Sequence, residues 1–165
     1  MEIERKFLIK NLQQLPFRPE DYPCCRIEQG YLCTNPVVRV RRDGSDFFLT
    51  YKSRGLMARE EYNLPLTEEA YSHLIAKADG RIITKTRYVI PLENGLKLEL
   101  DLFEGELAPL ILAEIEFPDE QSARDYRAPG WLGEDVTYSS DYHNSTLSKK
   151  SVSYTHLTLP TNSRV

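Results

Sequence analysis

Apolar and polar positions along the chain recur mainly with a period of two, in short runs separated by turn-forming residues. Glu2 to Ile9 alternates in this way and predicts a first strand. Asn11 to Pro23 carries three prolines and predicts a loop with at most a short turn. Arg26 to Leu32 and Val37 to Arg42 predict two further strands, and Asp43-Gly44 is a hairpin signal leading into Asp46 to Ser53. Arg59 to Leu66 is the fifth strand. The period then lengthens: Thr67 is placed as the N-cap of a helix running to about Ala78, with Glu68 and Glu69 in its first turn and Gly80 at its C-cap. Arg81 to Pro91, an Asn94-Gly95 turn, Leu96 to Phe103 and Leu110 to Phe117 bring the strands to eight. Asp119 to Tyr126 is a short helix, closed off by Pro129. The two hairpin signals argue for antiparallel pairing. No glycine-rich phosphate loop and no internal repeat occurs.

A length of 165 residues, 41% hydrophobic and 28% charged, predicts one domain able to bury a core without disulfides. The net charge of -4 gives no bulk basic field for nucleic acid, although a local basic pocket remains compatible with it. Cys24, Cys25 and Cys33 are odd in number and fit no zinc spacing, which predicts inert reduced thiols. No apolar run resembles a signal peptide or a membrane span, so the expected location is the cytoplasm, with no membrane partner. Residues 151 to 165 hold six Ser or Thr and almost no charge, and resemble translated adapter sequence. The expected organisation is a single domain over 1–150, with 151–165 a non-native or disordered tail.

Strand parity brings out the chemistry. Side chains i, i+2 and i+4 share a face. Glu2, Glu4 and Lys6 therefore fall together, as do Arg39 with Arg41, Thr50 with Lys52, and Arg59 with Glu61. Lys85 pairs in this sense with Arg87, Lys97 with Glu99 and Asp101, and Glu114 with Glu116, each set opposed by mainly apolar residues. A solvated sheet face explains any one of these strands. Seven strands with charge on one face, five of them bearing same-sign pairs, are different, because like charges side by side need opposite charge between them. A divalent metal with a polyphosphate supplies both signs: acids hold a hard cation, and arginine pairs grip phosphate oxygens. Such a set requires the polar face to line the lumen of a closed barrel. On this register Arg42 and Glu60 point outward.

The residues also carry a resemblance. Glu2-Ile3-Glu4-Arg5-Lys6 resembles the N-terminal signature of the CYTH superfamily, the triphosphate tunnel metalloenzymes. Gln29-Gly30-Tyr31-Leu32, Arg39-Val40-Arg41, Leu49-Thr50-Tyr51-Lys52, Lys85-Thr86-Arg87-Tyr88, Glu99-Leu100-Asp101, Glu114-Ile115-Glu116-Phe117 and Trp131 to Thr137 resemble its later blocks, in order, as far as about residue 147. The resemblance implies an α+β protein built on an eight-stranded antiparallel closed β-barrel with a few flanking helices. It implies phosphate binding by Lys6, Arg39, Arg41, Lys52, Lys85 and Arg87, and metal binding by Glu2, Glu4, Glu114 and Glu116. Arg59 joins the basic set, and Glu99 and Asp101 the acidic set, by their place on the same faces. Short bacterial members of this kind tend to be inorganic triphosphatases.

Two departures stand out. Asn63 replaces the second acid of a Glu-x-Glu strand, and Ser140 and Asp141 occupy positions that are basic in some relatives.

The expected activity is metal-dependent hydrolysis of a triphosphate, inorganic tripolyphosphate above nucleoside triphosphates, with Mg²⁺ or Mn²⁺ as cofactor. Lys6 is placed among the catalytic residues, and either Glu61 or Glu114 takes the proton. A class IV-type adenylate cyclase and a non-catalytic module binding phosphorylated ligands are the alternatives. The expected partner is a small-molecule triphosphate, and a homodimer stays open. His73 and His143 are read as surface or packing residues, Trp131 as a packing anchor, and the Tyr71, Leu74, Ile75, Ala78 stripe as core.

Overall fold

A computed structural model describes residues 1–149. Ten strands form one antiparallel sheet among these residues: β1 (Glu2–Leu8), β2 (Cys24–Thr34), β3 (Val37–Asp43), β4 (Asp46–Lys52), β5 (Ala58–Arg59), β6 (Glu61–Pro65), β7 (Asp79–Pro91), β8 (Lys97–Phe103), β9 (Ile111–Glu116) and β10 (Glu134–Asp135). The order runs β1-β9-β8-β7-β2-β3-β4-β6, and β5 returns to β1 through Glu2↔Arg59 and Ile3↔Ala58. The Glu4 amide adds a hydrogen bond to the Met57 carbonyl at 3.0 Å. The eight expected strands thus close into a barrel.

The fifth of them differs from expectation. It divides at Glu60, with one half on β1 and the other on β4. A barrel closes only if one segment reaches both edges of the sheet, and the division achieves this. The far end of the same β1 edge takes β10, through Phe7↔Asp135 and Leu8↔Glu134.

Directly paired residues share a face, so the pairings Lys6↔Glu114, Glu99↔Glu114, Arg87↔Asp101, Arg39↔Thr50 and Lys52↔Glu61 place the expected charged set inside. The same inward rows turn apolar toward one end. Leu8, Leu112, Phe103 and Ile83 continue the rows of Lys6, Glu114, Asp101 and Lys85, and pack with Leu107, Leu110, Val136 and Leu147. The bore is therefore charged in one half and plugged with hydrocarbon in the other.

On the outer face Ile3, Phe7, Leu98, Leu100, Ala113 and Ile115 form the larger core. It is covered by the loop after β1 and by helix α2 (Glu120–Asp125), which Asp119 caps. Trp131 stacks edge-on against Phe17 at 5.5 Å, the packing role expected of it.

Helix α1 (Glu68–Ile75) is capped by Thr67, whose side chain accepts from the Ala70 amide. It lies close enough to β2 that an added Cβ on Gly30 would stand 2.8 Å from the Ile75 Cδ1. The helix ends three residues before the expected Ala78, and Gly80 is not its cap. Gly80 lies in β7 with φ +70°, where an added Cβ would collide with the Ser148 carbonyl oxygen. That oxygen accepts from the Arg81 amide at 2.8 Å. Gly80 therefore serves the approach of the last helix, α3 (Asn144–Leu147). No described helix is long and apolar enough to cross a membrane, and the expected tail, 151–165, lies outside the described residues.

The two-residue strand β10 depends on Asp135. One carboxylate oxygen accepts from Arg5 Nη2 at 2.7 Å, and the other accepts from the Thr137 amide at 2.9 Å and the Thr137 hydroxyl. Partial burial favours the neutral acid, but the Thr137 and Arg5 hydrogen bonds outweigh it and hold Asp135 below its ordinary 3.8. A carboxyl more acidic folded than unfolded contributes fully at neutral pH, and the contribution fades as pH falls below about 4. Asp135→Asn is therefore expected to lower the unfolding free energy by about 1 kcal/mol at pH 7, a charged hydrogen bond discounted for exposure. In urea melts at successive pH values the difference should close below pH about 4; a gap of constant size would contradict this account.

Candidate active site

The charged half of the bore encloses a cavity of about 300 Å³. Its wall on β1, β9, β8 and β7 is internally paired. Lys6 Nζ stands 3.2 Å from Glu114, and Arg87 Nη2 meets the same carboxylate at 3.1 Å. Arg87 also grips Asp101 at two points, 2.7 and 2.8 Å, and reaches Glu99 at 3.3 Å. Lys85 Nζ lies 2.8 Å from Asp101. Across the bore Lys52 joins Glu2 at 2.9 Å and Glu61 at 3.4 Å.

These pairings set the proton affinities. Burial would raise Glu114, but Lys6, Arg87 and Lys85 hold it well below the usual carboxylate range. Burial likewise opposes ionisation of Glu61, and Lys52 and Arg39 reverse the effect. Lys85 is fully enclosed, and burial pulls it down to about 7 even with Asp101 beside it. Lys6 is raised, because Glu114 and Glu4 outweigh its burial.

Three other cations of the lining are unpaired. Arg39, Arg41 and Arg59 line the cavity, and none makes an ion pair among the described residues. Arg39 is 5% exposed, and its Nε is buried with no hydrogen-bond partner among the described residues. Burial, then Arg39 and Arg87, lower Arg41 to about 10, which leaves it charged at neutral pH. A buried cation without a counter-charge is costly, and an anion with several oxygens is what such donors match.

The acids fit a cation on the other side. Glu4 pairs directly with Glu116 across β1 and β9, and Glu2 lies two residues along the same face. No hydrogen bond or ion pair engages the Glu4 carboxylate among the described residues. Burial first, then Glu114 and Glu2, push it up to about 8. Glu116 is raised by burial and by Glu2, Glu61 and Glu99. No cluster of three His, Cys, Asp or Glu is already gathered as an ion cage among the described residues. The local deficit of positive charge at Glu4 is nevertheless what a divalent cation with oxygen ligands would correct.

Most of the expected set converges on this cavity: Glu2, Glu4, Lys6, Arg39, Arg41, Lys52, Arg59, Glu61, Arg87, Glu99, Glu114 and Glu116 all line it. Asp101 and Lys85 do not. They lie behind the wall, buried against each other, so Asp101 serves as a counter-ion to Lys85 and Arg87. Asn63 lines the cavity where the resemblance implies an acid, its carbonyl oxygen accepting from the Thr50 hydroxyl. Arg42 is exposed and donates to its own hairpin at Gly44 O, 3.1 Å away, as parity predicts.

Sequence reasoning missed the floor. His143, Asn144 and Ser145 close the cavity from the end of the described chain. Lys6 Nζ donates to Tyr142 O at 3.2 Å, and Lys85 Nζ to Asn144 Oδ1 at 2.9 Å. His143, read as a surface or packing residue, is half-buried and lines the cavity. Burial, then Lys6, Arg59 and Lys52, lower it to about 4, so it is neutral at ordinary pH. No period or motif in 140–148 announced this return.

The model of the CYTH domain matches residues 1–154. The chain belongs to the CYTH family. Over 149 residues it is 38% identical to the inorganic triphosphatase of Nitrosomonas europaea, covering 88% of this chain and 95% of that relative. The inorganic triphosphatase of Acetivibrio thermocellus is 38% identical over 128 residues, 73% of this chain and 78% of the relative. Among solved structures, the inorganic triphosphatase NE1496 superposes with a TM-score of 0.67 at 35% identity, covering 92% of this chain and 96% of that one. The adenylyl cyclase candidate HpAC1 from Hippeastrum, described as having dominant triphosphatase activity, shares the fold at a TM-score of 0.56 and 17% identity, over 75% and 83% of the two chains.

In this CYTH barrel the counter-ion role of Asp101 is open to direct measurement. Asp101→Ala leaves Lys85 and Arg87 without their buried partner, and removal of one member of such a group costs about 3–5 kcal/mol. Chemical denaturation should read a loss of that size. A loss below about 1 kcal/mol would mean that water or Glu114 compensates.

Proposed function

We propose that this CYTH protein hydrolyses inorganic triphosphate with the help of a divalent cation, Mg²⁺ or Mn²⁺, and acts more weakly on nucleoside triphosphates. One observation carries the reading: three cavity arginines without a counter-charge face a cluster of acids short of positive charge. Relatives bearing the name inorganic triphosphatase support it. We place the work in the cytoplasm.

Arg39, Arg41 and Arg59 hold phosphate oxygens, and Lys6, Lys52 and Arg87, already oriented by acids, neutralise charge that builds on the transferred phosphoryl group. Lys6 stays protonated in this role. Glu2, Glu4 and Glu116 would hold the cation, which would offset phosphate charge and favour deprotonation of water. Glu114, tied to Lys6 and Arg87, is too acidic to be an effective proton acceptor, and its task is to fix those two cations. Glu61 is ionised and lines the bore, so it is the acid we assign to orient the attacking water. No observation of its own favours the cyclase reading.

Tripolyphosphate supplied with Mg²⁺ or Mn²⁺ should release orthophosphate, and excess EDTA should abolish the release. Incubation with ATP and Mn²⁺ should yield no cyclic AMP. EDTA-resistant turnover, or cyclic AMP formed with pyrophosphate, would replace this reading.

Parity provides a second test. Arg39→Ala and Glu61→Ala should lower turnover by roughly ten- to a hundredfold, the worth of a charged contact in a confined site. Arg42→Ala and Glu60→Ala remove solvated charge and should stay within about fivefold of the parent. Equal losses at both pairs would show that the inward register is wrong. Residues 151–165 lie outside the functional unit in this proposal. A chain stopped after Lys150 is therefore expected to keep its melting temperature and turnover, and a large drop in either would refute that boundary.

A further inference from the structure

The deepest polar contacts of the cavity form a relay that starts in the last described turn. Asn144 Oδ1 accepts two hydrogen bonds, from Lys85 Nζ at 2.9 Å and from Gln29 Nε2 at 3.1 Å. Gln29 is completely enclosed. Its Nε2 also lies 3.4 Å from the Tyr31 hydroxyl, and its Oε1 accepts from Arg41 Nε at 2.8 Å. A primary amide has a donor end and an acceptor end. The acceptor presented by Asn144 therefore decides which end of Gln29 meets Arg41. Reversed, the amide would set N–H against the guanidinium N–H and oxygen against the Asn144 oxygen. Both contacts repel.

Among the described residues, Arg41 is the one unpaired cavity arginine whose Nε is held in this way. With Nε occupied, the guanidinium keeps its two terminal amino groups for a ligand. Asn144 stands two elements away from Arg41 yet fixes it through one buried side chain.

We propose that Asn144 is a positioning residue for phosphate binding: through Gln29 it orients the Arg41 guanidinium, which makes the C-terminal turn a working part of the site. The inference rests on the reading that Arg41 grips phosphate. The turn has other anchors, which keep it in place when Asn144 is changed. Leu147 is buried in the apolar plug, Ser148 O accepts from the Arg81 amide at 2.8 Å, and Tyr142 O accepts from Lys6 at 3.2 Å.

The test is a mutant cycle on the full chain. Asn144→Ala, Gln29→Leu and Arg41→Ala are compared, alone and in pairs, for steady-state hydrolysis of tripolyphosphate with Mg²⁺. Titration calorimetry of tripolyphosphate binding and melting temperatures are recorded on the same proteins. Gln29→Leu removes one contact to the turn but keeps Asn144, its Lys85 partner and the other anchors, so it reports on the relay even if Asn144→Ala loosens the turn.

Each single change should lower kcat/KM by roughly five- to a hundredfold, chiefly by raising KM. In the Arg41→Ala background the other two should cost less than about threefold, because their route to phosphate is already gone. A merely structural role would lower kcat and melting temperature with KM unmoved. That pattern, or costs that multiply across the pairs, would overturn the relay. Binding that Arg41→Ala fails to weaken would overturn both the relay and the phosphate grip it rests on. Tight binding with the expected coupling but no hydrolysis would uphold the relay and reject the triphosphatase reading alone.

Discussion

Keeping ionised groups away from water is expensive, and that cost governs the interior of this barrel. Asp101 meets it at the deepest point of the charged half. It takes Arg87 in a two-point grip and Lys85 beside it. Arg87, once fixed, gives Glu99 and Glu114 a partner, and Glu114 passes the same service to Lys6. Charges from four neighbouring strands are thus ordered around a single carboxylate. The opposite wall has no such hub, and its arginines face the cavity with their charge unspent.

A polar bore also dictates where the apolar residues go. Strands that send charge inward send Leu98, Leu100, Ala113 and Ile115 outward, and these need cover as much as any core does. The loop after β1, α2 and Trp131 supply that cover on the β1-β9-β8 side. On the β4-β6 side cover is incomplete, and Tyr62 and Leu64 are each 58% exposed. The secondary elements outside the sheet are therefore structural necessities of a polar lumen.

Parity made the strands, the inward register and most of the cavity set legible, because alternation is a local property of each strand. Arg39 against Arg42 was decided by one residue of spacing. What could not be read depended on contacts distant in sequence. Nothing between Ala58 and Pro65 marks Glu60 as the point where pairing passes from β1 to β4. Asp101 has the same parity as Glu99, and only its distance down the bore makes it a counter-ion. Gly80 looked like a helix cap because the true reason for it, the Ser148 carbonyl, lies 68 positions further along. His143 and Asn144 sit in a segment with neither period nor motif, and their place in the floor follows from a tertiary return.

The hydrocarbon plug has a consequence for traffic. With Leu8, Phe103, Leu112 and Leu147 filling one end, that end of the described barrel gives a charged molecule no passage. Whatever enters the charged half has no exit through the plug. A molecule held at the floor bars the next from reaching the same donors, so arrival and departure take turns. A linear anion can present only one of its ends to the deepest residues, and any length beyond the depth of the cavity stays in solvent.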